Sequence, residues 1–341
     1  MQCKRTWGPE RSLARVAFCF TVEEIAVNNV ELKPALKIEN QLARLKVRGM
    51  NIEDDAEAAA VLQRMNYYRI TGYAFLFQKN NEKYRRGTSF KRIMRLMEFD
   101  AALRRALLEQ LEYIEIYART EIAYWFSMAH DMDGGAHYND TYFESAERHK
   151  EYIENLQRQM RMNDKQPLVA HHIQKFGGKM PIWCAVEILS FSTLSKLYSN
   201  MMRADRELIA ANIDMDANYL KNWLHCFSVL RNTCAHYNRI YWNTLNPPIS
   251  LDGKILREYS DMKRDTLFAY IVAMLRMMPE KNRKARMINA LKTLFEEYSD
   301  AIELSAIGFV ENWEELLTEK NITLKPVAEC KKKVAKSSGK I

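Results

Sequence analysis

The sequence predicts an all-α protein, and three observations carry that expectation. Its 341 residues include only 11 Gly and 8 Pro, with 48% apolar residues and 18 Met, a composition that suits long helices better than a turn-rich β protein. Apolar residues recur at alternating spacings of three and four along much of the chain, as on the buried stripe of an amphipathic helix. The eight prolines, at positions 9, 34, 167, 181, 247, 248, 279 and 326, all fall between such stretches, where they punctuate helices without breaking them.

Taken in order, residues 1–32 read as a poorly ordered N-terminal extension. Within them Val16–Val22 is apolar and follows basic residues, yet it is short and runs into Glu23 and Glu24, so a signal peptide is not expected. Ile38, Leu42 and Leu45 mark a short helix stopped by Gly49. A second, over Glu53–Met65, carries Ala59, Leu62 and Met65 behind an acidic first turn. Asn66–Phe77 gathers Tyr67, Tyr68, Tyr73, Phe75 and Phe77 around Arg69, either as core aromatics with a structural arginine or as a base-stacking platform. After a polar loop, Phe90–Met128 reads as one nearly continuous helix, about 60 Å long at 1.5 Å per residue, with a bend expected near Glu98–Asp100. Arg119-Thr120-Glu121 interrupts its apolar pattern and must be paired or face a cleft.

Asp131–Gly135 ends that rod, and Glu144–Met162 resumes as a charged helix. Pro181 opens a strongly apolar helix running through Ile182, Val186, Leu189, Leu194 and Leu197. Glu187 is its one charged residue before Lys196, so it either meets a cation, with Arg231 the candidate, or faces solvent. Ile240–Ser250, with Pro247-Pro248, must be extended. Arg257–Met278, Asn282–Tyr298 and Val310–Leu317 complete the helical set.

Charge and cysteine usage narrow the setting. Lys plus Arg exceed Asp plus Glu by eight, and between Lys325 and Lys340 six Lys face Glu329 alone. That tail is a solvated disordered end or a binding arm, and without it the body is only mildly basic. The six Cys, at 3, 19, 184, 226, 234 and 330, form no C-x-x-C pair and read as reduced thiols of a cytoplasmic protein. No apolar run approaches the roughly 18 residues of a membrane span. His130, Asp133, His149, His171 and His172 lack the spacing of a metalloenzyme's ligands, so neither a metal nor another cofactor is expected.

The stretch Leu230–Trp242 holds the densest chemistry. Ahead of it Leu220, Trp223, Phe227, Leu230 and Cys234 form one buried stripe of a helix, while Ser228, Asn232 and His236 stack at four-residue intervals into a polar stripe, with Arg239 beyond. Asn232 is placed to hold the imidazole of His236. Arg231 lies about 140° around the axis from His236, so the two share a small ligand only by reaching around the helix or across to another chain. A phosphate suits them, because a planar guanidinium fork grips it and an imidazole moves protons near neutral pH. The plainer reading is a helix end whose last carbonyls Arg and His cap.

Arg231-Asn-Thr-Cys-Ala-His236, followed by Arg239, resembles the R-N-x-x-x-H signature of the HEPN superfamily and its Abi-like branch of bacterial abortive-infection proteins, of the AbiD/AbiF type. Gln41–Ile52, Asn66–Tyr73, Gly87–Phe90, Glu98–Asp100 and Pro181–Ser195 resemble that family in the same order. The resemblance implies a HEPN-like helical bundle over residues 33–245, with additional N- and C-terminal helices, a C-terminal helical segment at 246–322 and the basic tail at 323–341. It implies a phage-defence toxin acting as a metal-independent endoribonuclease on RNA. Arg231 would clamp the phosphate, His236 transfer protons, Asn232 orient His236 and Glu187 support Arg231. Arg239, Arg69, Lys281, Arg283 and Lys284 would contact RNA, although the run from Lys281 also reads as a solvated helix start. One motif per chain implies a homodimer with two motifs facing each other. The alternative is a non-cleaving protein that binds a structured small RNA; a third is a protein scaffold with a structural Arg231–Glu187 pair.

Overall fold

Helix-forming stretches of this kind bury their apolar stripes against one another, and the longest of them organises the rest. The computed structural model describes residues 34–79, 81–251 and 262–317. The extension at 1–32, the tail at 323–341 and the first part of the helix expected from Arg257 lie outside the described residues. Thirteen α-helices occur in those segments. They are α1 (Ile38–Val47), α2 (Asp55–Arg64), α3 (Tyr67–Ala74), α4 (Phe90–Ala129), α5 (Ala146–Met162), α6 (Pro167–Phe176) and α7 (Ile182–Ile188). There follow α8 (Phe191–Asn200), α9 (Arg203–Asn212), α10 (Ala217–Ala235), α11 (Leu267–Met277), α12 (Lys281–Glu297) and the short α13 (Trp313–Leu316). Among the described residues there are only isolated β-bridges and no strands, so the all-α expectation holds.

The spine is α4. Ser89 caps its start by accepting a hydrogen bond from the Arg92 amide, and its 40 residues run through Glu98–Asp100 as one uninterrupted helix. Ile93, Leu96, Leu103, Leu107, Leu111, Ile114, Ala118 and Ile122 are buried along it, and α3, α7, α9, α10, α11 and α12 pack against it. Apolar on every side, α11 is buried at all positions except Arg276 and packs on α4 and α10, as expected of a helix inside a core. Buried side chains from Leu45 to Leu317 form one continuous cluster.

Three differences from the sequence reading have physical causes. The apolar run from Pro181 is two helices, because Leu189 is extended and Ser190 caps a new start, its Oγ accepting from the Thr193 amide. Two helices escaped the pattern: α6, although Pro167 opens it and left-handed Gly177 closes it, and α9, whose buried face includes Asp205 and Arg206. And α11 starts at Leu267, ten residues past Arg257, after a segment whose Leu245 and Ile249 amides bond to the carbonyls of Asp265 and Arg264. No helix among the described residues is long and apolar enough to cross a membrane.

His137 is wholly buried between α5 and the chain leading into α7, its Nε2 meeting the Met180 carbonyl at 2.9 Å and its Nδ1 the Tyr152 hydroxyl at 2.7 Å. Burial pushes its pKa down to about 4. Between pH 6.5 and 4 the unfolded chain therefore binds a proton that the folded chain refuses, so stability falls as pH is lowered through that window, by roughly 3 kcal/mol over its whole width. Urea denaturation at pH 7.5 and 4.5 tests this: His137→Gln is expected to lose less stability on acidification than the parent. Equal losses would refute the assignment.

Candidate functional site

The site is built on the end of α10. Asp216 caps its start by accepting from the Asn218 amide at 2.8 Å, and Leu220, Trp223, Leu224, Phe227, Leu230 and Cys234 bury one stripe. At the other end His236 is the C-cap and Tyr237 adopts φ +60°. The Tyr237 amide bonds to the Cys234 carbonyl and the Asn238 amide to the Thr233 carbonyl, the paired bonds of a Schellman ending whose left-handed position usually holds glycine. A tyrosine there is strained by on the order of 1–2 kcal/mol and persists only where its surroundings hold it.

Those surroundings are explicit. Arg69 Nη2 donates to the Tyr237 carbonyl at 3.0 Å and Arg104 Nη1 to the Asn238 carbonyl at 3.2 Å. Asp100, fully buried, accepts from the Tyr241 amide at 2.7 Å and the Ile240 amide at 3.2 Å. It also accepts from the Tyr73 hydroxyl at 2.6 Å and from the Arg104 guanidinium. Burial, and then the Asp100 charge, push the Tyr73 phenol up to about 12. Arg239 turns inward, donating to the Gly72 carbonyl and lying 5.9 Å from the Tyr73 ring centre, and burial pushes its pKa down.

Arg231 and His236 are treated differently from these packed groups. Arg231 keeps 43% of its side-chain surface exposed while its Nε lies 3.7 Å from a Glu115 carboxylate oxygen on α4. Its Nη1 makes a long 3.5 Å contact with Asn232 Oδ1. The other Glu115 oxygen accepts from Arg119 Nη2 at 2.6 Å, so one nearly buried carboxylate is flanked by two guanidiniums. His236 is exposed, and its imidazole has no hydrogen-bond partner among the described residues.

Several expectations need correction. Glu187 does not hold Arg231: its half-exposed carboxylate lies 3.5 Å from Arg119. Arg231 lies against Glu115 of α4 instead. Arg119 donates to the Glu187 and Leu189 carbonyls, both at 2.9 Å, which answers the demand of the polar trio at 119–121. The rest of that trio is also partnered, Thr120 with the Ile116 carbonyl and Glu121 with the Trp125 indole. Asn232 does not hold His236 either, because its amide reaches Ser192 Oγ on α8 at 3.4 Å. The residues expected to contact RNA are placed as follows. Arg69 and Arg239 hold the turn, Arg283 stacks 4.0 Å over Tyr113 beside Glu280, and Lys284 is buried; Lys281 stays exposed at the start of α12. In the aromatic cluster Tyr73 is core whereas Tyr68 and Phe75 face solvent.

The sequence reading did not single out Arg104 or Glu115, and it met Asp100 only within the family resemblance and Arg119 only as part of a polar trio. The signal was present: each is half of an acid–base pair at i, i+4 set into an apolar helix, and a charge on a buried stripe needs such a partner. Exposed Tyr237, beside His236, was missed as well. Among the described residues no cluster of three His, Cys, Asp or Glu side chains is arranged to hold a metal. His130, His149 and His172 bond to Asp205, the His137 carbonyl and the Leu168 carbonyl. Cys234, one turn from Arg231, is buried in the core, and burial pushes its thiol up to about 12.

A family model described as Abi-like protein matches residues 60–243, just over half of the chain. The chain belongs to the Abi-like family. The matched segment begins in α2 and ends just past the turn after α10, so it contains every contact described above from Tyr73 and Asp100 to His236 and Tyr241. No curated protein and no solved structure matches the chain. In this Abi-like protein the arrangement offers an anion two things at one helix end: a guanidinium only loosely tied to a carboxylate, and an unengaged imidazole.

If Asp100 fixes the turn, Asp100→Ala strands a buried Arg104 charge and two backbone amides. It is expected to destabilise the fold by about 3–5 kcal/mol, against about 1 kcal/mol for Tyr73→Phe, read from urea denaturation midpoints. A change below 0.5 kcal/mol for Asp100→Ala, a value typical of surface substitutions, would remove the turn's claimed anchor.

Proposed function

We propose that this Abi-like protein is a phage-defence endoribonuclease of the HEPN type, in which Arg231 clamps the scissile phosphate and His236 moves protons. Membership of the Abi-like family points to abortive infection, and RNA cleavage is a direct way to arrest an infected cell. The observation that carries the reading is the contrast at the end of α10: a backbone locked by Asp100, Arg104 and Arg69, presenting an exposed imidazole and a half-exposed guanidinium.

The chemistry asks for no more than those groups. The RNA 2′-hydroxyl loses its proton and attacks the adjacent phosphorus. The bond from phosphorus to the 5′-oxygen breaks and that oxygen takes up a proton, leaving a 2′,3′-cyclic phosphate and a 5′-hydroxyl end. His236 serves the proton transfers and Arg231 stabilises the crowded dianionic phosphorane. One imidazole cannot be base and acid at once, and the two residues leave the helix about 140° apart. Both facts favour a symmetric homodimer in which the motifs face each other. Tyr237, exposed beside His236, offers a ring to a neighbouring base.

A second reading draws on the absence of an orienting partner for His236: an RNA-binding protein that captures a structured small RNA without cutting it. Incubation of the purified protein with mixed RNAs in EDTA separates the two. The endoribonuclease leaves 2′,3′-cyclic ends, with rates lowered about 10²–10⁴-fold in His236→Ala and about 10²–10³-fold in Arg231→Ala. Salt-sensitive binding without cleavage selects the second reading; neither cleavage nor binding rejects both. Sedimentation under cleaving conditions is expected to show a dimer, and an active monomer would refute the facing motifs.

A further inference from the structure

A groove of about 850 Å³ lies between α5, α8 and α10, and no role above accounts for it. Each of the three helices contributes one cation to its wall: Arg148 from α5, Lys196 from α8 and Lys221 from α10. None of the three side chains makes a hydrogen bond or an ion pair among the described residues. Nearby Arg206, by contrast, is committed to Glu144 at 2.7 Å and to the Met201 carbonyl. The groove's one carboxylate is Glu151. Nearby Glu144 is already bonded to Arg206, and that bond, ahead of the weaker fields of Lys221 and Arg148, pulls its carboxyl below the usual range. The wall therefore carries an uncompensated positive charge with room beside it.

The groove also leads toward the end of α10. Asn218, Lys221, His225 and Val229 line it at helical spacing, and the next steps on that face are Asn232 and His236. Ser192, another wall residue, accepts the Asn232 amide, whose oxygen meets Arg231. A chain of phosphates leaving Arg231 and His236 along the polar face of α10 is thereby directed toward the groove.

We infer that this groove binds the single-stranded RNA that flanks the scissile bond, holding its phosphates on Arg148, Lys196 and Lys221. The inference rests on the RNA reading above and adds the path of the strand. The volume is that of a ligand pocket and suits individual nucleotides, whereas duplex RNA is gripped across widely spaced grooves. The aromatic floor, Phe143 and Tyr152, is buried, with the Tyr152 hydroxyl bonded to His137, so bases find no stacking platform there. Binding is mainly electrostatic and tolerant of sequence, with Asn218 and His225 the side chains left to meet base edges.

The test is fluorescence anisotropy with a labelled single-stranded RNA oligonucleotide, using the full-length His236→Ala protein so that the probe stays intact. Adding Arg148→Glu, Lys196→Glu and Lys221→Glu together is expected to weaken binding at least about tenfold. It should also flatten the slope of log K against log salt by about two, near the 0.7 per phosphate expected for single strands. The corresponding Gln triple should act in the same direction and covers the case in which charge reversal disturbs folding. Lys150→Glu, at an exposed position outside the groove, should leave binding unchanged. Triple variants that bind like the His236→Ala parent overturn the groove while leaving the RNA reading intact. A parent that binds no RNA overturns both.

Discussion

A carboxylate sealed from water is stable only where hydrogen bonds and an opposite charge replace its hydration, and Asp100 shows what that requirement can enforce. Its oxygens accept from two successive backbone amides, a phenol and a guanidinium. These donors come from α3, from one turn further along α4 and from the chain just past α10, so satisfying one charge fixes three segments together. The turn it fixes holds two non-glycine residues in the left-handed region, Tyr237 and Trp242. Such a turn does not form for its own sake. It is over-determined by its neighbours, a common arrangement where backbone geometry serves chemistry.

Two sets of cations stand out among the described residues. Arg104, Arg119, Arg206, Arg239 and Arg283 are folded inward onto carbonyls, carboxylates or rings. Arg231 is only loosely tied, and Arg148, Lys196 and Lys221 are not tied at all through their side chains. The second set can meet a polyanion without dismantling the fold, as can exposed cations elsewhere such as Arg64, Arg86, Arg105 and Arg161. What distinguishes the second set is its place, at one helix end and in the groove that leads toward it.

Much of the architecture could be read from spacing. The rod over 90–129 and the stripe of α10 follow from periodicity, whereas the functional weight given to Arg231 and His236 came from the family resemblance. What could not be read has a common cause: partners far apart in sequence. Whether Arg231 meets Glu187 or Glu115 depends on how α7 crosses α4, and the break at Leu189 that sends Arg119 to the α7 carbonyls turns on a single serine cap. Arg239 looks like a surface cation until the Gly72 carbonyl, 167 positions away, accepts from it. Asp100 and Arg104 were legible in principle, since an ion pair within a buried stripe is a local pattern, yet the contacts that give them meaning are not local.

The account stands on a phosphodiester being held where α10 ends. A crystal structure of the full chain bound to a short RNA carrying a 2′-O-methyl group at the cleavage position, which removes the nucleophile and keeps the phosphate, tests it most directly. The account predicts a phosphate within hydrogen-bonding distance of the Arg231 guanidinium and of a His236 imidazole from the same or a facing protomer. RNA bound elsewhere, with Arg231 still lying against Glu115 and His236 facing bulk water, would contradict it.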